Sequence, residues 1–327
     1  MIAAMNTPVE TPIKRIPLTG LAGEPDAELS SMAWYGDTLL LLPQYPDRFA
    51  VEHSAEASDD GVVGALLTIP RAQLQAVIDG VSDESITPDR CELIAPGLSE
   101  AVPGMQGFEA IAVSGTRIFA TIEAELAHGM TGWLLAGTIS EDGGRVSLDT
   151  RNMVEIRPTA PVFNASEESL VIVGDRVISI FEANGKNVNP EPRAHIFDLD
   201  LRPHGTIPFP TIEYRIIDAT TADDNGQFWV SNYFFPGDRD IYRPAADAIA
   251  EKYGLGPSHQ QSNIVERLLL LGYDPEDGIQ LIDRPPVQLQ LGESGRNWEG
   301  LVRFGDQGFL VATDKFPETI FGFIAMP

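Results

Sequence analysis

The sequence holds one cysteine, Cys91, in 327 residues, so no disulfide can form within the chain and nothing points to an oxidising compartment. Cys91 falls in an apolar outer run, where a small buried side chain is expected and not a nucleophile. Bases are scarce: 22 against 48 acids, for a net charge of -26. That excess repels nucleic-acid phosphates and anionic membranes, so the expected partner is a small molecule and neither of those. The expected assembly is a monomer or weak homodimer. Long apolar runs are missing too, and none approaches the roughly 18 residues of a membrane helix. The opening MIAAMNTPVETP lacks the basic end and apolar core of a signal peptide. The chain therefore reads as cytoplasmic, or as periplasmic or secreted if a leader has been removed. Its five histidines show no HExxH pairing, and no Gly-x-Ser-x-Gly elbow, P-loop or Gly-x-Gly-x-x-Gly occurs. Zinc, NTPase, Rossmann and elbow-type hydrolase readings have no support.

What is present is a repeat. Five times a hydrophobic strand, a Gly-Asp-like turn and a second hydrophobic strand run between two polar residues. The copies span Ser30 to Gln44, Glu109 to Glu123, Glu168 to Glu182, Asp218 to Asn232 and Glu299 to Asp314. The polar positions lie 14 residues apart in the first four copies and 15 in the last. Each turn falls midway, so the two polar residues sit together at the open end of a β-hairpin. Gly36, Gly115, Gly174, Gly226 and Gly305 supply the positive φ that such turns require. Hairpins that cannot bury both faces alone must stack on their neighbours.

Two further strand-like runs follow most copies: 64–69 and 91–95, 132–139 and 146–156, 194–201 and 211–217, 267–274 and 279–291. The fifth copy finds only 320–326, and the missing strand is available at 14–21. The expected fold is all-β, a five-bladed β-propeller over 1–327 as a single domain, closed by the N-terminal strand. Six blades is the alternative. Helix is expected only near 70–80 and 242–253, where Pro, Ala-rich and terminal Gly signals coincide.

In a propeller the first strand of each blade lies nearest the axis. Ser30, Glu109, Glu168, Asp218 and Glu299 would then ring one channel, and four carboxylates so placed call for a counter-charge. Oxygen-only donors select a hard cation, Ca²⁺ before Mg²⁺, and these five residues are its expected ligands. Polar side chains lining a wet channel are the alternative. Gln44, Glu123, Glu182, Asn232 and Asp314 form a second ring one strand out. Glu123, Glu182, Asp314 and Lys315 are the candidate catalytic residues, and Gln44, Tyr45, Arg48, Asn232, Tyr233, Arg239 and Trp298 the candidate substrate contacts. The insertions 46–63 and 235–264 leave from the same end and are expected to wall the site.

The segments GFEAIAVSGTRIFATIEAE and NWEGLVRFGDQGFLVATDK resemble the Glu-Gly-Ile-Ala repeats of propellers grouped as esterase-like phytases. The five-blade count, with Ser30, Glu109, Glu168 and Glu299 opening inner strands, also resembles calcium-activated nucleotidases of the apyrase type. The resemblance covers the hairpins, and Asp218 departs from the nucleotidase pattern. It implies a central Ca²⁺ and hydrolysis of a phosphate ester or anhydride. The expected function is thus a calcium-dependent hydrolase of an anionic small molecule, with Lys315, Arg48 or Arg239 holding the charge. A glycoside hydrolase using paired carboxylates, with tryptophans stacking sugars, is one alternative. A non-catalytic ligand-binding or scaffold propeller with a structural metal is the other.

Overall fold

The computed structural model describes residues 7–50, 61–127 and 129–327. Its strands follow the hairpin repeat. In each copy the apolar runs alternate across a sheet, and four of the turn glycines, Gly36, Gly115, Gly174 and Gly305, sit at φ of +57 to +60°. A side chain there would be strained.

Five units of four strands result. Blade 1 runs Leu29–Tyr35, Thr38–Pro43, Val62–Pro70 and Asp89–Ile94, and blade 2 runs Met105–Ser114, Arg117–Leu126, Gly129–Ile139 and Arg145–Ile156. Blade 3 comprises Glu167–Val173, Arg176–Phe181, Arg193–Asp198 and Pro203–Pro208. Blade 4 comprises Arg215–Ala219, Gln227–Phe234, Val265–Asp274 and Val287–Leu289, and the run expected over 279–291 is split, its first part Gly278–Leu281 pairing separately with Val265–Asp274. Blade 5 comprises Trp298–Phe304, Gly308–Thr313 and Phe321–Ala325, and its outer strand is the N-terminal Ile13–Arg15. The ring is therefore closed by the N-terminal strand. Just before it, Glu10–Thr11 pairs in parallel with the outer strand of blade 4, so the same segment straddles the junction. The outer strands of blades 1 and 2 also pair in parallel, which fuses them into one sheet.

Packing confirms the closure. Each neighbouring pair of blades encloses its own apolar cluster, such as Leu40, Phe108 and Ile111 between blades 1 and 2. Leu29, Val302 and Phe304 close the last pair, blades 5 and 1. Cys91 belongs to the first of these clusters, and burial pushes its thiol up to about 11.

Two expectations need correction. The fourth strand of blade 3 is Pro203–Pro208, not 211–217. PHGTIP is an exposed polar edge with no apolar alternation, so pattern reading passed over it for the apolar run beyond. That run opens blade 4. The helix expected over 242–253 is two, Arg239–Tyr242 and Ala248–Tyr253. Arg243 stands at φ +42° before Pro244, and a residue preceding proline is disfavoured in the α region. The other expected helix, Arg71–Ile78, is in its place, whereas the short helix Leu98–Ala101 lies outside both expected stretches. No helix among the described residues is long and apolar enough to cross a membrane.

Candidate active site

The first-ring residues owe their position to a backbone device. In every blade the ladder between first and second strand skips a residue at the same seat, Ser30, Glu109, Glu168, Asp218 and Glu299, and blade 2 skips Gln106 as well. Each is the extra residue of a β-bulge, released from the strict alternation of the strand. Glu109, Glu168 and Glu299 use that freedom to line a cavity of about 1110 Å³ at one end of the axis. Glu123 and Asp314, at the ends of second strands, line it too.

Burial dominates the electrostatics. It holds the Glu109, Glu168 and Glu299 carboxyls well above the usual carboxylate range, and neighbouring carboxylates add to the rise. Glu123 is pushed up to about 7 by burial and then by Glu182. Asp314 is also raised by burial, against a hydrogen bond from the Phe316 N–H at 2.7 Å and the nearby charges of Arg215 and Lys315. Gln44 donates to Glu109 Oε1 at 3.4 Å. It can lie there because residue 107 is glycine, whose missing Cβ would stand 2.5 Å from Gln44 Cγ.

Arg215 is the cation inside the cluster. Its guanidinium pairs with Glu182, lies 3.8 Å from Glu168 and donates to Asn297 Oδ1 at 3.2 Å. Glu182 also accepts from the Tyr242 hydroxyl at 2.9 Å and the Ser166 N–H at 3.3 Å. It holds Arg215 in place and is not among the cavity walls.

Of the expected site residues, Gln44, Tyr45, Glu109, Glu123, Glu168, Tyr233, Glu299, Asp314 and Lys315 line the cavity. The others do not. Asp218 is fully buried, and its oxygens accept from the Met32, Ala219 and Leu301 N–H groups and the Ser31 hydroxyl. It ties blades together. Ser30 is buried off the cavity. Asn232 is buried between the Glu213 and Arg215 carbonyls and Arg267. Trp298 is buried, with its indole N–H given to Glu266 at 2.7 Å, so it stacks on no ligand. Trp34 likewise spends its indole N–H on the Arg303 carbonyl. Arg48 pairs with Glu28 and lies over the Tyr45 ring, and Arg239 is exposed outside the cavity. Lys315 reaches the wall, yet its ammonium is held 2.9 Å from Glu28.

The five-ligand cation cage expected from the first ring is thus reduced to three glutamates. Among the described residues no group of three His, Cys, Asp or Glu side chains is placed to hold a metal ion. The insertion 235–264 does wall the cavity, through Phe235, Tyr242 and Gln261 to Ile264 among others. Most of the other insertion, 51–60, lies outside the described residues, as does His128. His259 turns away and buries its ring against Glu10 at 2.8 Å. Sequence reading missed Arg215 and the aromatic rim of Phe163 and Phe316. The one available signal for Arg215 was a charge set within the apolar run 211–217, three residues ahead of a first-ring acid.

No protein-family model matches the chain, and no curated protein matches it in sequence. Among solved structures, the chain is similar to the soluble aldose sugar dehydrogenase of Escherichia coli, with 10% identity and a TM-score of 0.45. That match covers 96% of this chain and 99% of the other. A GH43 endo-arabinanase from Bacillus licheniformis gives 10% identity and a TM-score of 0.43, covering 92% and 93%. A hypothetical protein from Leishmania major gives 9% and 0.45, covering 99% and 92%. Likenesses this remote carry nothing about activity, and the propeller rests on the strand pairing described above.

Proposed function

We propose that the axial cavity binds a saccharide and hydrolyses a glycosidic bond, with Glu123 as proton donor and Asp314 as its ionised partner. The observation that carries this reading is the contrast between these two carboxyls in one cavity. Glu123 has no side-chain hydrogen bond among the described residues and is held at about 7, where it keeps a proton near neutrality. Burial raises Asp314 as well, yet it accepts the Phe316 N–H, a hydrogen bond to its charged form that Glu123 lacks. Two carboxyls whose surroundings separate their roles are what glycoside hydrolysis requires.

Glu123 gives its proton to the leaving oxygen as the bond to the anomeric carbon breaks. Asp314 either takes a proton from an attacking water or attacks that carbon itself, and the separation of the two groups in the bound state decides which. The remaining carboxylates face a transition state that gains positive charge, which they stabilise. Phe163, Phe235 and Phe316, exposed by 76%, 47% and 58%, offer flat apolar faces at the rim for sugar rings. An anionic phosphoester fits less well. Arg48 and Arg239 stand off the cavity, and Lys315 and Arg215 are already paired with carboxylates.

Assays on aryl glycosides and oligosaccharides test the proposal. Glu123→Gln should lower kcat by about 10²- to 10⁴-fold, with the smaller loss on substrates whose leaving group needs no proton. Unchanged turnover in that variant, or turnover of aryl phosphates alone, would overturn it. Binding without any turnover would point to a ligand-binding propeller.

Glu109, Glu168 and Glu299 are not placed as a ligand set, so calcium is proposed only as a diffuse counter-charge for them, and no chemical step runs through it. At pH 8, where these groups carry most charge, added Ca²⁺ should raise Tm, and the rise should shrink at pH 5. Melting curves with Ca²⁺ and with chelator check this, and identical curves at pH 8 would remove the ion from the ring.

A further inference from the structure

The cavity has far more acids than a neutral sugar needs. Seven acidic side chains line it against two basic ones, Arg215 and Lys315. Neither base is free: Arg215 is paired with Glu182 outside the lining and lies 3.8 Å from Glu168 within it, and Lys315 is paired with Glu28 outside it. Glu123 provides a second and independent observation. It is 7% exposed, lines the cavity, and has no hydrogen-bond partner for its carboxyl among the described residues. A buried polar group without a partner costs stability unless a ligand satisfies it. The rim repeats the theme, because Tyr45, Phe163, Phe235 and Phe316 present aromatic rings that attract cations as well as sugar faces.

We infer that the natural ligand carries positive charge: an amine-bearing saccharide whose ammonium group is received by Glu123 and the first-ring glutamates. This deepens the saccharide reading and rests on it for the sugar, though not for the charge. The ammonium would supply both the donors that Glu123 lacks and the counter-charge that Glu109 lacks and that Glu168 and Glu299 share in Arg215. An N-acetylated or uronic-acid counterpart offers amide or hydroxyl donors but no positive charge. Because Glu123 is held at about 7, a bound cation should ionise it, so binding near pH 6 should expel a proton.

Calorimetry with the whole chain at pH 6, where amino groups are largely protonated, provides the test. The probes are a glucosamine trisaccharide, its N-acetylated counterpart, cellotriose and 1,4-diaminobutane. The aminated trisaccharide should bind at least tenfold more tightly than either uncharged one, and the ratio should collapse in high salt. Repeating the titration in buffers of different ionisation heat should reveal release of about one proton per ligand. Glu123→Gln should lower that release by the share Glu123 contributes and weaken the aminated probe selectively, whereas a merely structural role would weaken every probe alike. Equal or tighter binding of cellotriose overturns the inference and leaves the saccharide reading standing. Binding of 1,4-diaminobutane with proton release but of no trisaccharide does the reverse: the charge inference holds and the saccharide reading falls.

Discussion

Asp218→Ala should cost the fold about 3–5 kcal/mol, because it strips the acceptor from a buried set of donors at the axis. The carboxylate takes the Leu301 N–H of blade 5 at 2.8 Å, the Met32 N–H of blade 1 at 3.3 Å and its own Ala219 N–H at 2.9 Å. It also takes the Ser31 hydroxyl, which in turn accepts from the Ile111 N–H of blade 2 at 3.0 Å. One side chain thereby links the inner strands of four blades. Asparagine is no rescue, since its amide group would turn a donor toward backbone donors, and a loss of about 1–3 kcal/mol is expected. Denaturant unfolding of the two variants and the parent measures both values. A midpoint for Asp218→Ala within error of the parent would show that the linkage carries no stability.

Stability should fall as pH rises from 5 to 8, the opposite of the acid sensitivity that paired carboxylates usually confer. Burial raises the Glu109, Glu168 and Glu299 carboxyls well above their ordinary range and lifts Glu123 and Glu167 to about 7. The folded protein therefore holds protons that the unfolded chain has released. The stability contributed by each group is full below the ordinary carboxylate range and is lost as pH climbs through its folded value. For Glu167, a rise from the ordinary 4.5 to about 7 corresponds to about 3 kcal/mol at most. Glu167 isolates the effect, because it is buried behind Ser179, whose hydroxyl donates to it at 2.6 Å, and does not line the cavity. Glu167→Gln should raise Tm at pH 8 and leave it nearly unchanged at pH 5. A parent Tm that is flat or rising across this range would contradict the picture of a proton-holding interior.

The ring of hairpins was readable because its signals are local. An apolar alternation, a glycine turn and a polar residue at each end need no knowledge of the rest of the chain. Strand closure followed from counting, since one blade was a strand short and Ile13–Arg15 lay unused. The edge strand Pro203–Pro208 was hidden because an exposed polar strand has no core to pattern it. The site was legible by position and not by partner. Asp218 stood out in sequence only by its departure from the nucleotidase pattern, which does not reveal that it accepts backbone donors while Glu299 lines a cavity. Trp298 stands next to a cavity glutamate in the chain, but its indole N–H goes to Glu266 of blade 4, a partner that no local pattern reveals. Arg215 pairs with a carboxylate 33 residues away in sequence, a meeting that only the assembled ring creates.

The bulges have a consequence for how this scaffold diverges. A residue inside the ladder cannot be inserted or lost without sliding every later side chain to the wrong face. The extra residue of a bulge is outside that constraint, so its chemistry can change while the register stays put. This molecule already holds a serine, an aspartate and three glutamates in the same structural seat. Single codon changes can therefore re-equip the mouth of the channel for another substrate without an unstable intermediate along the way. Three seats, Glu109, Glu168 and Glu299, face the cavity and are open to such exchange, Ser30 is buried off it, and Asp218 is locked by the backbones it joins.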